Sequence, residues 1–509
     1  MDWVLFRQSG SITSISQGYS YVYVGSSHGG VYRYNIYSQD WEDPLTVAQG
    51  LPHNSIESVH FDKNTGTLWV ATPKHLSYSY DREGQWYNIE KNDIGMNDNP
   101  QIKNLGSTDN YLCVDARTMF YQLDRSSGVL LNVMPNLDDP LITWSSGRLE
   151  YFMEFPQYLQ DYTITDGWMM LLDKFLDYYG REVRATTIFK QENGSTWIGT
   201  DNGHILVADP QMEMFRPHKL GLANSDISSL IGTSAFYLAG RLQHSSKGIT
   251  YFDPTRNIID WVDPDVNINL PNVSYTAGLE TPKHLWLGGE GNISIYNKKR
   301  DYWKNIITYT TSKIYTMEWD SGAVWIGGIG GVERFDDIKT KQYPFDLGSA
   351  FHSIIVYDID VIGNDVWFAT NSGMFIYNKK SEQLIPGNQW TNGDNDIMFI
   401  CWQTELQDSL VYTATSSGIF QWNLRDRTKK MVMNPTQFQN RPVKSLKVID
   451  DIIFIGTDNG LYRMHKNGSG YYHYNYSYIR HINDMYINDE ECWLGTDQGL
   501  VWFNWRMDL

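Results

Sequence analysis

The chain is predicted to be all-β, a β-propeller of about twelve four-stranded antiparallel blades. Three observations predict this. A short phrase recurs roughly every 40–45 residues, clearest at Trp197-Ile-Gly-Thr-Asp-Asn-Gly203, Phe454-Ile-Gly-Thr-Asp-Asn-Gly460 and Trp493-Leu-Gly-Thr-Asp-Gln-Gly499. A repeat of that length with four strand-like segments is the signature of a propeller blade. No stretch between the copies carries the period and length of a typical helix.

Aligning the small residue of each phrase gives Gly25, Ala71, Asp115, Gly199, Ala239, Gly288, Gly327, Ala369, Ala414, Gly456 and Gly495. The step from Asp115 to Gly199 is about twice the others, which places a degenerate blade at 140–183. Within a copy, four apolar stretches follow one another, as in Val443–Val448, Ile452–Gly456, Gly460–Met464 and Tyr471–Tyr474. They are read as strands a to d. The turn between b and c ends in Gly at 29, 203, 331, 373, 418, 460 and 499, because Gly accepts the positive φ of a tight hairpin. The small residue of strand b suits a crowded contact between blades, and the Trp beside it fills the space between them.

The chain ends on a strand c, whereas Trp3–Phe6 reads as a strand d without its own blade. Residues 3–6 are therefore expected to complete the last blade and close one large ring, removing exposed sheet edges. Two propellers, one inserted in the other, satisfy the same closure. They require chain crossings, of which 140–183 is one candidate.

Aromatic residues make up 14% of the 509 residues, with 19 Trp and 34 Tyr, which excludes a disordered chain. A formal net charge of −18 repels phosphate backbones, so nucleic acid is not an expected partner. No apolar run is long enough for a membrane-spanning helix. Cys113, Cys401 and Cys492 are too sparse for a disulfide framework or a CxxC metal pair and are read as buried thiols.

The phrase resembles the two-component-regulator propeller repeat. The resemblance rests on Gly50-Leu-Pro-His-Asn-Ser-Ile56 leading into Leu68-Trp-Val-Ala-Thr72, and on Gln191–Thr200 leading into Asp201-Asn-Gly203. It implies the extracytoplasmic sensing part of a bacterial signalling protein. It therefore implies a location outside the cytoplasm with any signal removed. Met1-Asp2-Trp3 shows no leader pattern, which leaves a cytoplasmic location as the alternative.

Motifs of chemistry are few. Gly25-Ser-Ser27-His-Gly29 matches the G-x-S-x-G nucleophile elbow, but it falls on a b–c turn of the repeat. Asp263-Pro-Asp265-Val-Asn267-Ile-Asn269 alternates oxygen ligands, yet Ile268 and Ser274 occupy the places where a calcium loop needs Gly and a carboxylate. No cofactor or metal is expected. The b–c turns and d–a connections share one face, the one with the longer loops. On that face the b–c loop Gly240–Gly248 is expanded. Arg241, Gln243, His244 and Lys247 in it, with His53 and Asn54 in a d–a connection, are the expected ligand-binding residues. The expected function is a non-enzymatic, sensor-like scaffold that presents this face to a protein, peptide or glycan. The alternatives are a polysaccharide lyase or hydrolase at the central channel mouth, and a structural or secretion-associated assembly component.

Overall fold

A computed structural model describes residues 3–508, except 81–84, 148, 150–154, 156–158, 160–161, 210, 244–247, 344, 349–350 and 392–398. The fold is a β-propeller architecture of twelve sheets among the described residues, antiparallel except where Thr163–Ile164 pairs in parallel with Met214–Lys219. The penultimate copy shows how well the pattern sets the strands. Its four are Ser445–Ile449, Ile452–Thr457, Gly460–His465 and Tyr472–Tyr474.

The chain divides into two compact units, Asp2–Leu222 and Ala223–Leu509. In the second, seven sheets follow one another. Their inner strands are Ser229–Ile231, Tyr275–Glu280, Lys313–Asp320, Val356–Ile362, Cys401–Gln407, Ser445–Ile449 and Ile482–Ile487. The seventh returns to the first: Asp484 Oδ2 accepts from the Leu230 N–H at 2.8 Å, and Asn483 Nδ2 donates to Ile227 O at 2.8 Å. Seven sheets thus close on themselves within residues 223–509. The boundary falls between Leu222 and Ala223, whereas 140–183 lies wholly inside the first unit.

In the first unit the inner strands are Ile12–Gln17, Ser58–Asp62, Asn104–Ser107 and Ala185–Lys190. The degenerate copy supplies a fifth inner segment instead of a full blade. Thr143–Trp144 pairs with the third inner strand, and Ser146 holds the first and fourth. The Ser146 hydroxyl accepts from Ile15 N–H at 3.0 Å and from the Thr187 hydroxyl at 2.7 Å. The rest of this copy forms a three-stranded sheet of two-residue strands, Met169–Met170, Phe175–Leu176 and Glu182–Val183. Most of Leu149–Phe155 lies outside the described residues.

The small residues of strand b sit where neighbouring sheets meet. A Cβ on Gly199 would come within 2.5 Å of Ile12 Cγ2, on Gly288 within 2.6 Å of Ile314 Cγ2, on Gly327 within 2.7 Å of Val356 Cγ1, and on Gly456 within 2.7 Å of Ile482 Cγ2. Each partner belongs to the start of the neighbouring inner strand. Trp197, Trp286 and Trp325 are buried beside them against the same neighbours. The turn glycines have positive φ at 203, 331, 373, 418, 460 and 499, but in the first copy Gly30, and not Gly29, takes that role. There the backbone presses on Leu45 O. All three cysteines are buried in strands and unpaired.

Gly199 is closed in on two sides, by Ile12 and by Thr187 Cγ2 at 2.7 Å. Gly199→Ala should therefore destabilise the chain by about 1–3 kcal/mol, the usual cost of overpacking. Urea unfolding of the purified variant measures it.

Candidate functional site

The expanded loop proves to be a variation on a brace found elsewhere. In three ordinary sheets an acid on the b–c turn bonds the connection that enters the inner strand. Asp201 Oδ1 accepts from Arg184 N–H, Asp458 pairs with Arg441 at 3.4 Å, and Asp497 pairs with His481 at 2.8 Å. At Gly240–Gly248 the charges are exchanged: Arg241 on the loop pairs at 3.0 Å with Asp226 on the connection. Asn224 Nδ2 also holds Arg241 O, and Ser274 Oγ holds Leu242 N–H. Arg241 keeps 54% of its side chain exposed, and Gln243 is exposed. His244 and Lys247 lie outside the described residues. Burial pushes Asp226 up despite Arg241, so this pair braces the loop at some electrostatic cost.

His53 and Asn54 lie in the first unit. Asn54 is a brace: its Oδ1 accepts from Val47 N–H at 2.9 Å and its carbonyl from Gly30 N–H at 2.8 Å. The second bond ties the connection 53–56 to the turn 26–30, where His28 sits. His28 and His53 are exposed and Arg7 is half-buried, with Arg7 Nε donating to His28 O at 3.1 Å. His28 was overlooked as part of a turn motif, although a b–c turn and a d–a connection on one face were the available signal. The turn carrying Ser27 leads into the strand Val31–Asn35, not a helix, so no nucleophile elbow forms.

A Ser–His pair does occur, inside the first unit. His60 Nε2 and Ser107 Oγ are 2.8 Å apart, linking the second and third inner strands. Both are buried, and Asp62 lies 3.4 Å from Ser107, not on His60 Nδ1, which has no partner. Burial pushes His60 down to about 4. A neutral, closed-off ring has no route to substrate, so the pair is a strand clamp.

Inner strands of the second unit carry the acids Glu318, Asp358, Asp360, Glu405 and Asp484, with the cation Lys447 among them. Lys447 bonds Glu405 at 2.8 Å. Asp358 accepts from Thr316 Oγ1 at 3.1 Å and from Thr404 N–H at 2.8 Å, tying three successive strands. Burial, and then repulsion from Asp360 and Asp358, raises Glu318 to about 8. Among the described residues no group of three or more His, Cys, Asp or Glu is arranged to hold a metal ion. Asp265 N–H and Asn267 Nδ2 bond Asp263, so that loop is folded on its own oxygens.

The first unit also holds an aromatic cavity of about 220 Å³ between its first two sheets. Tyr19, Tyr23, Phe61, Tyr80, Trp86 and Arg33 line it. Phe61 meets Tyr19 edge-on at 5.3 Å and stacks on Tyr23 at 5.8 Å. Arg33 is aimed by two bonds to Asp43 O, from Nε and Nη2. Trp86 Nε1 is buried without a partner. The sequence hid this site because its walls come from an a–b turn, an inner strand and the outer edge of the second sheet.

No protein-family model and no curated protein matches the chain. Solved structures do. The extracellular domain of a putative hybrid two-component system from B. thetaiotaomicron is 15% identical, over 97% of this chain and 70% of that one, with a TM-score of 0.46. A second such domain from the same organism is 14% identical, over 96% and 74%, with a TM-score of 0.32. The WD40 repeats of RRP9 are 10% identical, over 55% and 94%, with a TM-score of 0.44. No helix among the described residues is long and apolar enough to cross a membrane.

The acid layer has a signed pH dependence. Below about 4.5 Glu318 is protonated folded or unfolded, and its contribution is whole. As pH rises toward 8 the unfolded chain releases the proton that the folded chain retains, so stability falls across that window. Glu318→Gln should raise the unfolding temperature at pH 8 by about 2–4 °C, the shift that ~1 kcal/mol produces in a large domain. It should leave the temperature unchanged at pH 4, as calorimetry at the two pH values would show.

Proposed function

We propose that the chain is a non-enzymatic binding scaffold of the sensing kind, and that the aromatic cavity of its first unit receives a sugar ring of a glycan. The carrying observation is the cavity itself, walled by Tyr19, Tyr23, Phe61, Tyr80 and Trp86 with Arg33 among its lining. A pyranose supplies both needed surfaces: C–H faces that pack on aromatic rings and hydroxyls that accept from Arg33. At about 220 Å³ the space exceeds the ~150 Å³ that admits a benzene ring. Arg33 disfavours a cationic guest, which an aromatic cage would otherwise suit. Of the three ligand classes considered, protein, peptide and glycan, this chemistry fits the glycan. The resemblance of the repeat to sensor propellers supports an extracytoplasmic setting. Arg241 and Gln243 remain candidates for contacts with the same or a second ligand.

Titration calorimetry against neutral oligosaccharides tests the reading. Arg33→Met removes the donor and should weaken binding about 3–10-fold, one hydrogen bond's worth. Phe61→Ala should weaken it as well. Equal affinity in wild type and both variants, or no saccharide bound at millimolar concentration, would sink the proposal.

A further inference from the structure

A second site lies on the loop face of the first unit. The geometry points to Arg7, His28 and His53 as a receptor for an oxyanion: a carboxylate, sulfate or phosphate group.

Four observations carry it. The first is placement. Gly30 N–H donates to Asn54 O at 2.8 Å and Ile56 N–H to Ser26 O at 2.9 Å, so the turn bearing His28 and the connection bearing His53 are zipped together. Arg7 Nε donates to His28 O at 3.1 Å, which sets the guanidinium beside them.

The second is polarity. Ser55 N–H donates to His53 Nδ1 at 2.8 Å, so the neutral ring carries its proton on Nε2. His28 Nδ1 is 2.8 Å from Ser27 Oγ, which also accepts from Ser11 N–H. His53 thus offers an Nε2–H donor, an imidazolium at His28 offers another, and guanidinium offers donors only. A donor-only cluster is matched by a group with acceptors only.

The third is charge. Burial lowers the proton affinity of both rings. After it come Arg7 and His53 for His28, and Arg7 for His53, with His75 adding to the latter. Arg7 and an imidazolium formed at either ring repel one another, and a bound anion relieves that repulsion. The fourth is access: His28 and His53 are exposed.

An anion here is also linked to protons. It favours the imidazolium forms, so binding tightens as pH falls and both histidines titrate higher when it is bound. The site is independent of the aromatic cavity, and stands or falls without it.

The test is NMR titration of the histidine rings in the intact chain. Sodium sulfate, phosphate and acetate are each compared with sodium chloride at matched ionic strength. We expect at least one of the three to move the titrations of both His28 and His53 upward by half a pH unit or more. A response to sulfate or phosphate alone identifies a tetrahedral ligand group, and one to acetate alone a carboxylate. His28→Asn with His53→Gln should lower affinity for that anion at least tenfold at pH 6 without changing the unfolding temperature in chloride. Arg7→Lys, which keeps charge and loses the fork, should lower it by a smaller factor. The inference is overturned if all three anions leave both rings where chloride puts them, if only one ring responds, or if the double variant binds as tightly as wild type.

Discussion

Both units depend on one contact: the small residue of a second strand lying against the start of the next inner strand. Gly199 on Ile12 closes the first unit, and Gly495, whose added Cβ would lie 2.4 Å from Leu230, closes the second. The same contact joins Gly288 to Ile314, Gly327 to Val356 and Gly456 to Ile482 inside the ring of seven. A glycine here lets the sheets converge this far, and the neighbouring Trp then seals the widening gap outside. A sequence that repeats Trp-Ile-Gly-Thr is therefore repeating a packing distance.

Convergence brings the inner strands so near that polar side chains bridge them. Ser14 accepts from Val59 N–H, Asp358 from Thr404 N–H and Asp484 from Leu230 N–H, each at 2.8 Å. All three occupy equivalent positions opposite the small residue. Serine makes this bond without charge. Aspartate makes it with charge that burial then penalises, as the raised Asp358 and Asp484 show. The second unit thus accepts electrostatic strain in its axis for the directional bonds that fix its strands. The first unit, with Ser14, Ser58, Asn104 and Thr187 in these places, is spared it.

Strand positions, turns, buried thiols and the count near twelve were legible because each repeats, and repetition makes a local signal additive. The division into two was not, because the same Gly–aliphatic contact serves within and at the closure of a ring. Nothing local distinguishes Gly199 meeting Ile12 from Gly288 meeting Ile314. The degenerate copy misled for a related reason: Ser146 keeps the inner-strand bonds while the outer strands shrink to two residues. Among site residues, His53 and Asn54 lie in the connection expected, where Asn54 braces the backbone, and Arg241 is half of a charge-exchanged pair; the cavity residues carry no motif.

These outcomes share a physical logic. A repeat fixes most of its polar groups by rule, so a departure from the repeat is not itself a site; Arg241 departs and is still satisfied by Asp226. What distinguishes a binding surface is surface or bonding capacity that the fold leaves unused. The ring-walled cavity with Arg33 in its lining is one. The exposed rings of His28 and His53 are another. The first asks for a hydroxyl beside an apolar face and the second for a negative oxygen. A ligand carrying both, a ring at one end and an acidic group at another, would use chemistry that the first unit holds ready at two places.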